Sequence, residues 1–167
     1  MTGVPYELVR HASPRAFLER AEPWLLERED EHNLHLSLAY ARRDPGPVGT
    51  ESLFGTVEGD GEVVGCVIRT PPHKLLVTSL PSEAASSIVE PVADVYDEIP
   101  AVLGPADSAE AVASAWVALK GGTSTSFPWE GEVVEGEAPI SIYPADNCHG
   151  GRRHWAETRA AGQQGSY

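Results

Sequence analysis

His11, His32 and His35 are side chains that could hold a metal ion or exchange a proton near neutral pH. His32 and His35 stand one helical turn apart in a charged stretch. No carboxylate–histidine spacing of a metal motif accompanies them, and an i, i+3 pair arises readily on any polar helix face. They are expected to be exposed polar helix residues. Asp146, Cys148, His149 and His154 are metal-capable types close together, but zinc sites draw on four ligands in paired spacing and no second pair exists. Incidental ligands in a polar tail are the plainer reading.

Glu27, Glu29, Asp30 and Glu31 could attract a polyamine or an aminoglycoside-like cation, yet the same acids suit the solvated N-terminus of a helix. For nucleophilic chemistry there is no Gly-x-Ser-x-Gly wording. Ser79 and Ser82 lie where a strand turns into a helix, and helix capping accounts for Ser82. Tyr40 and Tyr96 could act as acids by type, but packing is the simpler role for each.

The turn between that strand and helix is the most consequential candidate. A helix N-terminus presents free N–H groups and a dipole that can hold phosphate. Here the turn reads Leu80-Pro81-Ser82-Glu83-Ala84-Ala85. It has no glycine to let a ligand approach the backbone, it loses one donor to proline, and Glu83 stands where an anion would sit. The dipole contributes at most ~1 kcal/mol towards a nearby anion, and the obstructing side chains work against it. A structural turn is expected.

The elements that must position these residues follow from patterning. Tyr6 to Val9 suits a short strand. Ser13-Pro14 opens a helix with Phe17, Leu18, Ala21, Trp24 and Leu25 at helical spacing, and Pro23 should kink or split it. HNLHLSLAYARR alternates like a strand, but its Leu, Ala and Arg content favours a helix. Ser52–Val57 and Glu62–Arg69 flank Gly59-Asp60-Gly61 as a hairpin. Lys74–Leu80 supplies a third strand. Ser82 then caps a helix carrying Ala85, Ile88, Val89, Val92 and Tyr96 on one face, with a bend or early end at Pro91. A brief strand at Val102-Leu103 precedes a helix capped by Asp107 or Ser108. That helix turns Val112, Ala115, Trp116 and Leu119 inward and closes at Gly121-Gly122. Residues 123–167 are polar and glycine-rich, with strand hints only at Glu132–Glu135 and Ile140–Tyr143, and are expected to be irregular or disordered.

Length and charge bound the rest. A chain of 167 residues suits one domain with some surplus, and 41% apolar residues is ordinary for a globular protein. A formal charge of −13 argues against nucleic acid or an anionic membrane as the main partner. Cys66, inside an apolar strand pattern, is expected to be a buried free thiol. No secretion signal is evident, and no apolar run approaches the ~20 residues that cross a bilayer. The expectation is a cytoplasmic protein that neither spans a membrane nor binds nucleic acid.

The order strand, helix, helix, hairpin, strand, helix, strand, helix resembles the first part of the GNAT N-acetyltransferase fold. The wording FLERAEPWLLEREDEHNLHLSLA, FGTVEGDGEVVGCVIRTPPHKLLVTSLP and IPAVLGPADSAEAVASAWVALKGG is similar to the N-terminal half of two-part bacterial members of that family. Its most specific piece is Pro100-x-Val102-x-Gly104-Pro105, followed by Ala115-Trp116 and Gly121. The resemblance implies an α/β fold over residues 1–122, with a mixed, mostly antiparallel sheet flanked by helices. It also implies that a second domain carrying the acetyl-CoA loop normally follows, so a truncated or frame-shifted gene product is one expectation. Arg159 to Gly165 echoes that loop only faintly, because Gln164 stands at a required glycine or alanine.

On this reading the chain is a non-catalytic scaffold half without catalytic residues, metal or cofactor. Its partner is either a catalytic C-terminal domain or a second copy of itself, through an edge near Trp116. The rival is an acetyl-CoA-dependent enzyme acting on a small cationic amine. It would hold the cofactor through Val77, Thr78, Ser79, Leu80 and Ser82, and it needs the Val77–Leu80 backbone left unpaired by a splayed pair of strands.

Overall fold

In the computed structural model, which describes residues 5–43, 51–126 and 140–144, the chain starts as strand β1 (Tyr6–Arg10) and enters two helices, α1 (Pro14–Leu26) and α2 (Glu29–Ala41). The hairpin β2 (Leu53–Gly59) and β3 (Glu62–Arg69) follows, then the short strand β4 (Leu75–Val77). A single 3-10 turn, Ser82–Ala84, leads into α3 (Ala85–Val95). Strand β5 (Ala101–Gly104), helix α4 (Ala106–Lys120) and strands β6 (Ser124–Ser126) and β7 (Ile140–Pro144) complete the described elements.

The seven strands form one sheet in the order β1-β2-β3-β4-β5-β7-β6. Pairing is antiparallel from β1 to β4 and parallel for β4–β5, β5–β7 and β7–β6. This is the expected mixed α/β fold, mostly antiparallel through β5. Its register is set at the hairpin tip, where Asp60 and Gly61 take φ of 53° and 79°, the pair of left-handed residues that a tight two-residue turn requires. A bulge between Val57 and Glu58 leaves Val64 as the extra residue on β3.

Alternation along the strands builds two cores. Phe54, Cys66, Ile68 and Leu76 pack under α1 and α2 against Phe17, Leu18, Leu25 and Leu36. Val67, Leu75, Val77 and Val102 face α3 and α4, meeting Ile88, Val92, Val112 and Trp116. Each such side chain contributes roughly 1.5–3 kcal/mol on burial, so both helical layers are held by several of them.

Local signals were followed unevenly. Ser13 caps α1, its Oγ accepting the Ala16 N–H at 3.1 Å, with Pro14 at the first helical position. Glu29, Asp30 and Glu31 occupy the first turn of α2, where the dipole favours acids. Gly121 and Gly122 close α4 with φ of 83° and 98°. Neither proline ends its helix: α1 runs through Pro23, which faces solvent, and α3 runs through Pro91.

Ser82 does not cap α3, and neither Asp107 nor Ser108 caps α4, because the cap positions belong to Ala84 and Pro105. Leu119 is 48% exposed rather than inward. In the stretch expected to be irregular, Ser124–Ser126 and Ile140–Pro144 are strands, while Glu132–Glu135 and the metal-capable group from Asp146 to His154 lie outside the described residues. Among the described residues no helix is long and apolar enough to cross a membrane.

Candidate functional site

The anion-site idea concerns the backbone from β4 into α3. Val77 is buried and pairs with Val67 of β3. Thr78 is 2% exposed and fully engaged. Its N–H donates to the Cys66 carbonyl at 3.1 Å, and its Oγ1 accepts the Cys66 N–H at 2.9 Å while donating to the Ser79 carbonyl at 3.2 Å. Ser79 and Ser82 are exposed, and the Ser82 hydroxyl donates to the Glu83 carboxylate at 3.4 Å.

In the turn itself, Leu80 donates its N–H to Ser108 Oγ at 2.9 Å. Ala84 donates to the Pro81 carbonyl and Ala85 to that of Ser82, and Pro81 has no N–H to give. Four of the six residues, Leu80, Pro81, Ala84 and Ala85, therefore offer a ligand no free donor. Ser108, the serine expected to cap α4, serves the turn across a sequence separation of 28 residues.

Strands β4 and β5 run side by side as far as Leu76 and Leu103. They pair at Leu75–Val102 and Leu76–Leu103. Just beyond, Gly104 lies so close to β4 that a Cβ there would stand 2.5 Å from the Val77 carbonyl oxygen. On the other side Leu80 folds over Gly65, where a Cβ would meet Leu80 Cδ2 at 2.0 Å. Of the cofactor set proposed from sequence, Val77 and Thr78 are buried and bonded within the sheet, whereas Ser79 and Ser82 are exposed.

The histidines are placed differently from expectation. His32 and His35 are buried, at 4% and 3% exposure, because α2 turns them, with Leu36 and Ala39, into the core it shares with α1 while Leu34 stays 47% exposed. His32 donates from Nδ1 to the Leu25 carbonyl at 3.0 Å and stacks on Trp24, ring centres 4.7 Å apart. His35 lies edge-on to His32 at 6.3 Å, and neither of its ring nitrogens has a hydrogen-bond partner among the described residues. Burial pulls its pKa down to about 3, so it is neutral at physiological pH.

His11 belongs to another group. Its Nε2 donates to Thr56 Oγ1 at 3.0 Å, Thr56 donates to Glu58 Oε1 at 2.9 Å, and Arg20 holds that carboxylate at 2.9 and 3.0 Å. Arg20 keeps the Glu58 carboxyl below its ordinary range, and burial lowers the His11 pKa. Thr56 is 0% exposed, so this chain of bonds ties α1 to β2 and presents no reachable nucleophile. Cys66 is a buried free thiol pushed up by desolvation, as its strand pattern suggested. Tyr40 donates to Glu22 on the surface, and Tyr96 donates to the Glu51 carbonyl with the Arg69 guanidinium 4.0 Å over its ring. Among the described residues, no group of three or more His, Cys, Asp or Glu is placed to hold a metal ion.

Sequence reasoning missed one concave site. On the α2 side of the sheet a groove of about 510 Å³ runs between α2 and strands β3, β4 and β5. Ile68, Leu76 and Leu103 line it from the sheet and Leu34 and Leu38 from the helix. Arg42, His73 and Lys74 also line it, and burial lowers the Lys74 pKa. The i, i+4, i+8 spacing of Leu34, Leu38 and Arg42 was a readable stripe, but nothing local linked it to His73-Lys74.

Compared with protein-family models, with curated proteins and with solved structures, the chain matches none.

Proposed function

We propose that the chain is a GNAT N-acetyltransferase family protein acting as a non-catalytic scaffold. Its sheet packs against a catalytic partner domain and helps shape that domain's substrate cleft. Two things support the family half of the reading: the quoted sequence pieces, and the order strand, two helices, hairpin, strand, helix, strand, helix, which is the order the family uses.

The non-catalytic half rests on one observation, the closure of the Leu80–Ala85 turn by Ser108 and by its own 3-10 bonds. Accepting a pyrophosphate there means breaking the Leu80–Ser108 hydrogen bond, which contributes about 1 kcal/mol. The helix dipole returns ~1 kcal/mol at best, and Glu83 repels the incoming charge. The balance does not favour binding. The enzyme reading would also need a splayed β4–β5 pair, whereas Gly104 is pressed against Val77.

Titration of the purified chain with acetyl-CoA, followed by calorimetry, tests this. No heat of binding at millimolar cofactor is expected. Micromolar binding would make the chain a candidate transferase and overturn the scaffold reading.

A further inference from the structure

The helices on the two faces of the sheet differ in what they bury. On α3 the buried residues are Ala85, Ile88, Val89 and Val92, all apolar. On α2 they are His32, His35, Leu36 and Ala39, so half of the buried positions are imidazoles. α2 also packs mainly on α1 rather than on the strands. His32 is provided for, by its bond to the Leu25 carbonyl and its stacking on Trp24. His35 is not. It is 3% exposed, and neither ring nitrogen finds a partner among the described residues.

The groups around His35 offer no counter-ion. On α2, His32 lies edge-on at 6.3 Å and opposes a second positive charge. On α1, Glu22 is engaged by the Tyr40 hydroxyl, and Arg20 holds Glu58 of β2. On β3, Cys66 belongs to the same core with its thiol kept neutral by burial, and β4 brings Leu76 to it. No carboxylate among the described residues acts on His35. An imidazolium formed in this seam is a buried, unpaired charge, and only access to water relieves it.

We infer that α2 is an acid-released flap: protonation of His35 detaches the helix from α1 while the sheet and the α3–α4 layer stay folded. Release bares Leu36 and Ala39 and the core residues they meet. Once in water His35 titrates at its ordinary 6.5, whereas burial holds it at about 3 in the closed seam. The closed form therefore loses ground as pH falls below 6.5, and by pH 5 the opening equilibrium has grown about thirtyfold. The inference is independent of the family reading, because it uses only the α1–α2 seam.

Amide hydrogen exchange of the full chain, followed by NMR at pH 7 and pH 5 and corrected for intrinsic rates, is the test. The Leu36 and Ala39 amides are expected to lose protection about thirtyfold at pH 5. They should also stay at least tenfold less protected than Ile88 and Val112. Dilute urea is expected to hasten exchange at Ile88 and Val112 far more than at Leu36 and Ala39, since a local opening exposes little surface. His35→Leu should remove the pH effect on α2, and His35→Phe, which keeps a ring in place, is the second neutral variant. Equal protection of the α2 and α4 amides at pH 5, α2 protection unchanged from pH 7, or the same loss in both variants would each overturn the proposal.

Discussion

Strands β4 and β5 present two contrasting surfaces, and the contrast comes from alternate residues of the same short segments. On one face Leu75, Val77 and Val102 are sealed under α3 and α4, and the turn that follows is closed by Ser108. On the other, Leu76 and Leu103 line an open groove with basic side chains along it. A strand reverses its side-chain direction at every residue, so one stretch can build a packed face and a receptive one. A strand-to-helix turn, the usual place to look for a ligand, is here the closed region. The groove lies where, among the described residues, a helix leaves part of the sheet uncovered.

The largest effect should come from forcing the closed side apart. Gly104→Val places methyl groups where a bare Cβ already stands 2.5 Å from the Val77 carbonyl oxygen, and backbone cannot step aside as a flexible side chain can. Urea unfolding should show a loss of roughly 3 kcal/mol or more, typical of severe overpacking. A loss under 1 kcal/mol would mean that β4 and β5 are looser than described.

A pH dependence should mark the α2 layer instead. In the unfolded chain His35 takes a proton near 6.5, but in the fold only near about 3. Its contribution is therefore complete above pH 6.5 and declines as pH falls towards 3. At pH 5 the loss is about 2 kcal/mol at 1.36 kcal/mol per pH unit. The lowered pKa of His11 acts in the same direction. His35→Leu should flatten the slope between pH 6.5 and 5 while leaving stability at pH 7 unchanged or raised, since it removes two unpartnered buried ring nitrogens. An unaltered slope would show that His35 is not the group responsible.

Smaller still is the cap on the turn. Ser108→Ala removes the acceptor of the Leu80 N–H and should cost about 1 kcal/mol by thermal or urea denaturation. It should also leave acetyl-CoA unbound, because Pro81, Glu83 and the 3-10 bonds remain. Tight cofactor binding by this variant would mean that one hydroxyl alone closes an otherwise competent site.

Much of the scaffold could be read from local signals. Gly59-Asp60-Gly61 marked the hairpin, Ser13-Pro14 the start of α1, and Gly121-Gly122 the end of α4, because each is a backbone requirement met by neighbouring residues. What failed was whatever depended on distant partners. Ser82 looked like a cap, but the serine that serves this turn is Ser108 on another helix. His32 and His35 looked exposed because they stand one turn apart in a charged stretch, where an i, i+3 pair arises readily on a polar face. The fold instead covers the histidine side with Trp24 and α1 and leaves Leu34 to the groove. The groove combines a helical stripe with His73-Lys74 from a remote loop, so no window of sequence contains it.

The central proposal is that the Leu80–Ala85 turn, four of whose six residues offer a ligand no free donor, does not take a pyrophosphate. Following the backbone amide resonances of Leu80, Glu83, Ala84 and Ala85 during an acetyl-CoA titration tests it most directly. The account predicts that these amides stay in place through millimolar cofactor, with the Leu80 amide protected from solvent exchange. Saturable shifts at these amides, with loss of that protection, would contradict it.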